Sequence, residues 1–334
     1  MPTSQMLDVY TARFKAEFWK AWNATAEPAP WEAFTQVVPS TTRIEHYPYF
    51  TPIPQVSLWQ GYRNYGSVSS KIYSLQNYPY HTEFQSTLED FDDEQTGALA
   101  MKPKELVEKC KLFPGRQTLI SLGNGASTPC FDGTNFFAGS HTYGTGNNNL
   151  TYTSLVNDST THYLYALYFG NSVLKPLIWQ NRAGPELRTI AGTEQSYESR
   201  QIRWWCDLRG GYGYGYWWNA IKMTITGTPS VIDMLLIFQL IDNAFRSFTL
   251  PVTQTNEKPE YIHEQTVFSD KNLYMMGSIK LQQVLRQSLG LPVVPQYLPG
   301  GQNVVSGNVQ AQTVPTVNLY HQFARYGVSA LLGT

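Results

Sequence analysis

Apolar positions recur at spacings of three and four at Leu7, Tyr10, Phe14, Phe18 and Trp22, which predicts an opening helix with one aromatic face. Pro28 and Pro30 end it. On a compact monomer that face enters the core, whereas on an assembling subunit it packs partly against a neighbour as an arm. From Thr41 to Phe84 the pattern changes to a period of two with proline-punctuated turns. SVSSKIYSL and PYHTEFQST both alternate, and Gln76, Asn77 and Tyr78 between them predict a hairpin. MKPKELVEKCKLF predicts a helix with Pro103 in its first turn, running to Phe113 and interrupted by Pro114-Gly115.

Further along, the segment from Tyr163 is an apolar strand followed by Lys-Pro-Leu-Ile-Trp-Gln-Asn-Arg at 175–182. The run DLRGGYGYGYWW alternates glycine with large aromatics, so a period of two predicts a strand with bulky residues on one face. Glycines on the other face permit close backbone approach. Val231 to Phe248 is the strongest helix, preceded by Pro229-Ser230 and stopped by Pro251, with a wide apolar face that predicts extensive burial. NLYMMGS predicts a buried strand and IKLQQVLRQSL an amphipathic helix ending at Gly290. Val314 to Leu332 returns to short apolar pieces, and the polar tract Gly300 to Gln312 is expected to need neighbouring copies to hold it in place.

Composition narrows the function classes. The 334 residues hold one large domain or two ordinary ones. With 24 basic and 25 acidic side chains and no basic runs, bulk electrostatics give no polyanion binder. The chain carries 22 Tyr, 16 Phe and 9 Trp, residues that favour strands and are also enriched at protein interfaces. Cys110, Cys130 and Cys206 lie far apart without C-x-x-C spacing, which predicts reduced packing residues rather than a disulfide framework or zinc site. Met1 to Gln5 lacks the basic start of a signal peptide, and the apolar stretch Val231 to Leu240 is too short to span a bilayer, so a soluble protein of cytosolic origin is expected.

Catalytic motifs are missing. The six histidines are dispersed, and His263-Glu264 lacks the second histidine of H-E-x-x-H because position 267 is Val. The glycines at 211, 213 and 215 are spaced by two, not as in a dinucleotide loop. The acidic cluster Glu89 to Glu94 lacks calcium-loop spacing and suits the approach to a helix N-terminus. No catalytic residue, cofactor or metal is expected.

Four strings in order carry a resemblance: LEDFDDEQTG at 88–97, CFDGTNFFAGSH at 130–141, the 175–182 string, and DLRGGYGYGYWW from Asp207. Together they resemble the major head (capsid) protein family of Mu-like phages and prophages, the gpT family. The resemblance covers roughly Trp59 to Ile221 and, less specifically, the segment to about Leu289.

It implies an α+β chain with the Hong Kong 97-like phage capsid fold. The expected parts are an N-terminal arm (1–40), an E-loop region (41–90), a peripheral domain with the spine helix (91–160), and a mainly axial A-domain with strands returning to the peripheral domain (161–334). It implies self-assembly as pentamers and hexamers into an icosahedral head around double-stranded DNA, which is met by non-specific proximity. Scaffold, cement or decoration, and portal proteins are the family's other partners; no membrane is involved. The location is the virion, assembled in the host cytoplasm.

Expected intersubunit contacts are Trp59, Tyr62, Arg63, Lys71 and Tyr73 in the E-loop. Those in the glycine-aromatic strand and its partner are Lys175, Trp179, Arg182, Asp207, Arg209, Tyr214 and Trp217, with Trp179 and Trp217 alternatively plain core. Some shells of the wider family crosslink a lysine to an asparagine; Lys71 is the only lysine of the proposed E-loop, and no crosslink is expected. The alternative reading, from another class, is an aromatic-rich β protein that binds carbohydrate or belongs to the tail.

Overall fold

A computed structural model of the chain describes residues 4–24, 31–50, 70–87, 89, 101–156, 158–170, 172, 174–191, 200–251, 258–290, 293–297, 313–317, 320 and 322–332. The elements begin with helices α1 (Ser4–Ala24) and α2 (Trp31–Phe34) and strands β1 (Thr35–Pro39), β2 (Ile44–Phe50), β3 (Ser70–Gln76) and β4 (Tyr78–Thr87). Helix α3 (Lys102–Asn124) precedes β5 (Asn149–Thr153), β6 (Thr161–Tyr168), β7 (Leu177–Ile190), β8 (Gln201–Tyr214) and β9 (Ala220–Thr226). Then come α4 (Val231–Ser247), β10 (Leu273–Ser278), α5 (Gln282–Gly290), β11 (Val293–Tyr297), β12 (Thr313–Val317) and β13 (Arg325–Ser329). The chain forms two compact units. One comprises Met1–Tyr47, Ser74–Thr118 and Leu177–Gly213; the other comprises Pro48–Tyr73, Leu119–Pro176 and Tyr214–Thr334.

The first unit is organised by a four-stranded sheet in the order β1-β7-β8-β4. Strand β1 runs parallel to β7, and β4 runs antiparallel to β8 with Tyr78 opposite Gly210 and Thr87 opposite Gln201. Alternation along β8 buries Ile202, Trp204 and Cys206 and exposes Arg203. Those buried positions receive α1: Phe14 stacks on Trp204 with ring centres 4.8 Å apart, and Phe18 and Ala21 join Leu106, Val107, Cys110 and Cys206. The aromatic face of α1 is therefore core of this chain. Pro28 and Pro30 lie outside the described residues, as do the side chain of Leu7 and the tract 300–312.

Two local expectations are corrected. No hairpin joins β3 to β4: β3 pairs with β2 in a separate two-stranded sheet, while β4 pairs with β8. Asn77 between them is buried and bolted to the β1–β2 corner. Its amide donates to the Arg43 carbonyl at 2.9 Å, and its side chain donates to Ser40 Oγ at 2.7 Å and the Thr42 carbonyl at 2.8 Å.

The second correction is that α3 does not stop at Phe113 but continues through Pro114 to Asn124. A mid-helix proline forfeits one hydrogen bond and crowds the preceding turn, at a cost of about 3 kcal/mol. Burial of Leu106, Val107 and Cys110 on one flank and of Thr118, Ser121 and Leu122 beyond the proline offsets it. Thr118 Oγ1 also donates to the Pro114 carbonyl at 2.9 Å. Pro103 stands in the first turn as expected.

The second unit is built on a five-stranded sheet in the order β13-β10-β6-β9-β5. Its outer pairs, β10 with β13 and β5 with β9, are parallel, and its inner pairs are antiparallel. Strand β10 is buried at every position, as a strand covered on both faces must be. On one face Gly277 lies against Leu281, just before α5, and Leu285 within it; on the other, Tyr165 of β6 meets Phe137 with ring centres 5.5 Å apart.

Helix α4 is held at its N-terminus by a capping box between Ser230 and Asp233. The buried Asp233 carboxylate also accepts from Tyr152 Oη at 2.8 Å and Ser154 Oγ at 3.1 Å. The wide apolar face of α4 is only partly interior, since Leu236 and Leu240 are exposed. Asp233→Ala is expected to cost roughly 1–3 kcal/mol through the broken capping box and the orphaned Tyr152 hydroxyl, measured as a shift in urea midpoint.

Candidate assembly elements

The two strings of the middle of the chain are brought edge to edge. Strand β7 begins inside the 175–182 string and lies next to β8, which carries the glycine-aromatic run. In the first unit a Cβ on Gly210 would stand 2.7 Å from the Gln180 carbonyl oxygen and 2.7 Å from the Trp179 ring. In the second unit a Cβ on Gly215 would collide with the Lys175 carbonyl oxygen, and the Gly215 amide donates to the Pro176 carbonyl at 2.8 Å. Only glycine permits this separation. The strand stops at Tyr214, where the two-residue alternation gives way to a 3₁₀ turn at Trp217–Asn219 whose three residues are all buried.

Three contact candidates are interior. Trp179 is buried against Phe113, whose ring centre lies 6.0 Å away. Tyr214 stacks on Phe136 at 4.5 Å and donates from Oη to the Ser121 carbonyl at 2.8 Å. Trp217 is fully buried and donates from Nε1 to the Tyr143 carbonyl at 3.0 Å. These side chains are buried in the subunit's own core, which for Trp179 and Trp217 is the alternative the sequence offered.

Others sit nearer the solvent. Arg209 is exposed, and Arg182, Lys175 and Asp207 are half-buried. Asp207 accepts from Trp205 Nε1 at 3.2 Å and lies 3.7 Å from Arg188 Nε. Trp59, Tyr62 and Arg63 lie outside the described residues, as does the side chain of Lys71.

The β2–β3 ribbon stands as its own two-stranded sheet. It exposes Ile44 on β2 and Ile72 on β3, at 43% and 67% of their surfaces. His46 Nδ1 and Ser74 Oγ meet across it at 2.8 Å. At its base Tyr73 Oη accepts from the Tyr214 amide at 3.3 Å.

The sequence reading missed a polar clasp at the heart of the second unit. A tight turn with Gly133 at φ 81° brings the Cys130 amide onto the Thr134 carbonyl at 2.8 Å. Asp132 then accepts from the Thr134 amide at 2.9 Å, from Cys130 Sγ at 3.2 Å and from His141 Nδ1 at 3.0 Å. The other nitrogen, Nε2, faces Asn148 Oδ1 at 3.2 Å. That oxygen also accepts from the Ala138 amide, while Asn148 Nδ2 donates to the Phe136 and Trp217 carbonyls.

Both imidazole nitrogens thus face acceptors, the Asp132 carboxylate on one side and the Asn148 side-chain oxygen on the other. The ring lies flat on Trp217, with centres 3.9 Å apart and planes at 1°. Burial opposes charge on Asp132, but the bond from His141, with those from the Thr134 amide and Cys130, holds its carboxyl below the usual range. Burial, then the adjacent carboxylate, pushes the Cys130 thiol up.

Ligand-type atoms of Cys130, Asp132 and His141 lie within 4.8 Å of one another. Each is already engaged within the trio, so the arrangement ties the turn to the core. Its signal in the sequence was the CFDGTNFFAGSH string, whose spacing alone does not disclose the pairing.

Acid is expected to weaken this unit in two steps. His263 is enclosed by Tyr168, Phe245 and Phe268 and donates to the Trp218 carbonyl at 3.1 Å. Burial lowers its pKa from 6.5 to about 4. Between those values the unfolded chain takes up a proton that the folded chain refuses, so stability falls with pH by up to about 3 kcal/mol. Below about pH 4 the carboxyls of Asp132 and Asp233, both held low in the fold, lose their contribution as they protonate. Urea titrations across this range check both steps, and His263→Gln should flatten the upper one. Asp132→Asn is expected to cost roughly 2–4 kcal/mol at neutral pH by unpairing His141 in a buried site.

Comparison with known proteins agrees with this architecture. The sequence pattern of the family described as Mu-like prophage major head subunit gpT matches residues 7–228. The chain is 27% identical over 203 residues to the major capsid protein of Escherichia phage Mu, covering 59% of this chain and 67% of that one. It is 27% identical over 210 residues to the Mu-like prophage FluMu major head subunit of Haemophilus influenzae, covering 60% and 68%.

Among solved structures, a chain of the bacteriophage JBD30 procapsid superposes with a TM-score of 0.67 at 18% identity, over 99% of this chain and 100% of that one. A chain of the JBD30 capsid gives 0.68 at 14% identity, over 92% of each. The α+β phage-capsid fold expected from the sequence is the fold observed. The chain belongs to the Mu-like prophage major head subunit gpT family.

Proposed function

We propose that this head subunit forms pentamers and hexamers that tile an icosahedral shell around double-stranded DNA, with the β2–β3 ribbon as the flap that reaches a neighbouring copy. The single observation that carries the reading is the family match across residues 7–228, on a chain whose fold follows phage capsid subunits over its length. The ribbon supplies a physical reason. Two strands alone are marginal in water, and exposed Ile44 and Ile72 gain from cover by another copy. Rings of this kind close through head-to-tail contacts, and many weak contacts acting together hold a container better than a few strong ones.

In this reading the first unit, with most of α3 and the long strands β7 and β8, is the peripheral domain. The second unit, with the five-stranded sheet, is the axial domain. Lys175, Arg182, Asp207 and Arg209 remain contact candidates, with Trp59, Tyr62, Arg63, Lys71 and Tyr73 on the flap. The role is mechanical, so no catalytic site, cofactor or covalent crosslink is required. Scaffold, decoration and portal proteins are partners of the shell, and DNA meets a chain whose net charge is only −1.

Expression with the scaffold, followed by light scattering and negative-stain imaging, is expected to give megadalton shells or five- and six-membered rings. A stable small species under those conditions would overturn the proposal. Trp59→Asp is expected to leave the monomer folded by circular dichroism yet abolish shells; an unfolded variant would assign that side chain to the core instead.

A further inference from the structure

Two of the three cysteines, far apart in the sequence, meet in the first unit. Cys110 comes from α3 and Cys206 from β8, and both are buried in one cluster with Phe18, Ala21, Leu106 and Val107. Within that cluster the two thiols are close enough to shift each other's ionisation. Neither is oxidised. The neighbouring Cys206 thiol lowers the pKa of Cys110, while Cys206 is pushed up and keeps its proton. Cys110 also has a route to solvent. It lies in the wall of a cleft of about 130 Å³ lined by Trp22, Trp31, Phe113, Trp179 and Pro185. Cys206 does not line that cleft, so it stands behind Cys110 as a resolving thiol stands behind a reacting one.

We propose that Cys110 and Cys206 are a latent disulfide, reduced where the chain is made and joined by a peroxide oxidant, stapling α3 to β8. Hydrogen peroxide oxidises the Cys110 thiol to a sulfenic acid and is itself reduced to water. The Cys206 sulfur then attacks the sulfenic sulfur. The S–S bond forms, the S–O bond breaks, and the hydroxyl leaves as a second water with the Cys206 proton. Two thiols and one peroxide give one disulfide and two waters. Reducing cytosol keeps the pair open, and an oxidising exterior closes it. That timing rests on the head-subunit reading, but the chemistry does not.

The test treats the folded full-length chain with hydrogen peroxide, blocks remaining thiols with N-ethylmaleimide, and maps non-reduced peptides by mass. Expected are a linked peptide pair containing Cys110 and Cys206 and a single alkylated cysteine, Cys130. The oxidised protein should melt higher by about 5 °C or more, a gain reversed by dithiothreitol. Cys206→Ser should halt the reaction at a sulfenic acid on Cys110 that dimedone traps.

Three alkylated cysteines after peroxide, a linkage that appears only in denaturant, or Cys130 reacting ahead of Cys110 would each overturn the proposal. The assay is scored on peptides, so failure of shell formation, read by light scattering, is a separate result.

Discussion

Backbone contact without side chains sets the terms for the middle of this chain. At Gly210 and Gly215 the glycine-aromatic run lies so close to the 175–182 string that a single added methyl group has no space in either compact unit. That closeness fixes which residues can flank it. Large rings fill the volume that the glycines vacate: Trp179 beside Gly210, and Tyr214 beside Phe136. Among the described residues, the aromatics of the glycine-aromatic run and of the string beside it are thus mainly inside the subunit.

The second unit adds a different device to the same end. An apolar core is tolerant of sliding, whereas the Asp132–His141–Asn148 clasp is not, because every donor has one designated acceptor. It fixes the turn after α3 against the 3₁₀ segment that carries Trp217. Geometry at this point is specified by direction as well as by volume.

Long periodic patterns were legible in the sequence: α1, α4, β10 and α5 stand where spacing placed them. Failures arose where a local rule met tertiary structure. Pro114 reads as a stop because proline costs a helix a bond, yet flanking burial carries α3 through it. Asn77 reads as a turn residue because asparagine favours turns, but its hydrogen bonds go to Ser40, Thr42 and Arg43, so the chain changes sheets there. Alternation of Gly and Tyr placed the bulky residues on one face without saying what covers it, and partners remote in sequence bury Tyr214 and Trp217. The Cys110–Cys206 contact and the His141 clasp depend on side chains converging from separate elements, and no spacing rule encodes that.

The β2–β3 ribbon has a consequence for the life of the subunit before assembly. Among the described residues the ribbon pairs with no further strand and exposes Ile44 and Ile72, and such a surface does not distinguish its proper neighbour from any other sticky edge. A freshly made chain therefore presents adhesive surface before a partner is available, and crowding of free subunits favours disordered clumps as well as ordered rings. Supply must stay in step with growth: the shell is built well when chains are captured about as fast as they are released, and a surplus is a hazard rather than a reserve.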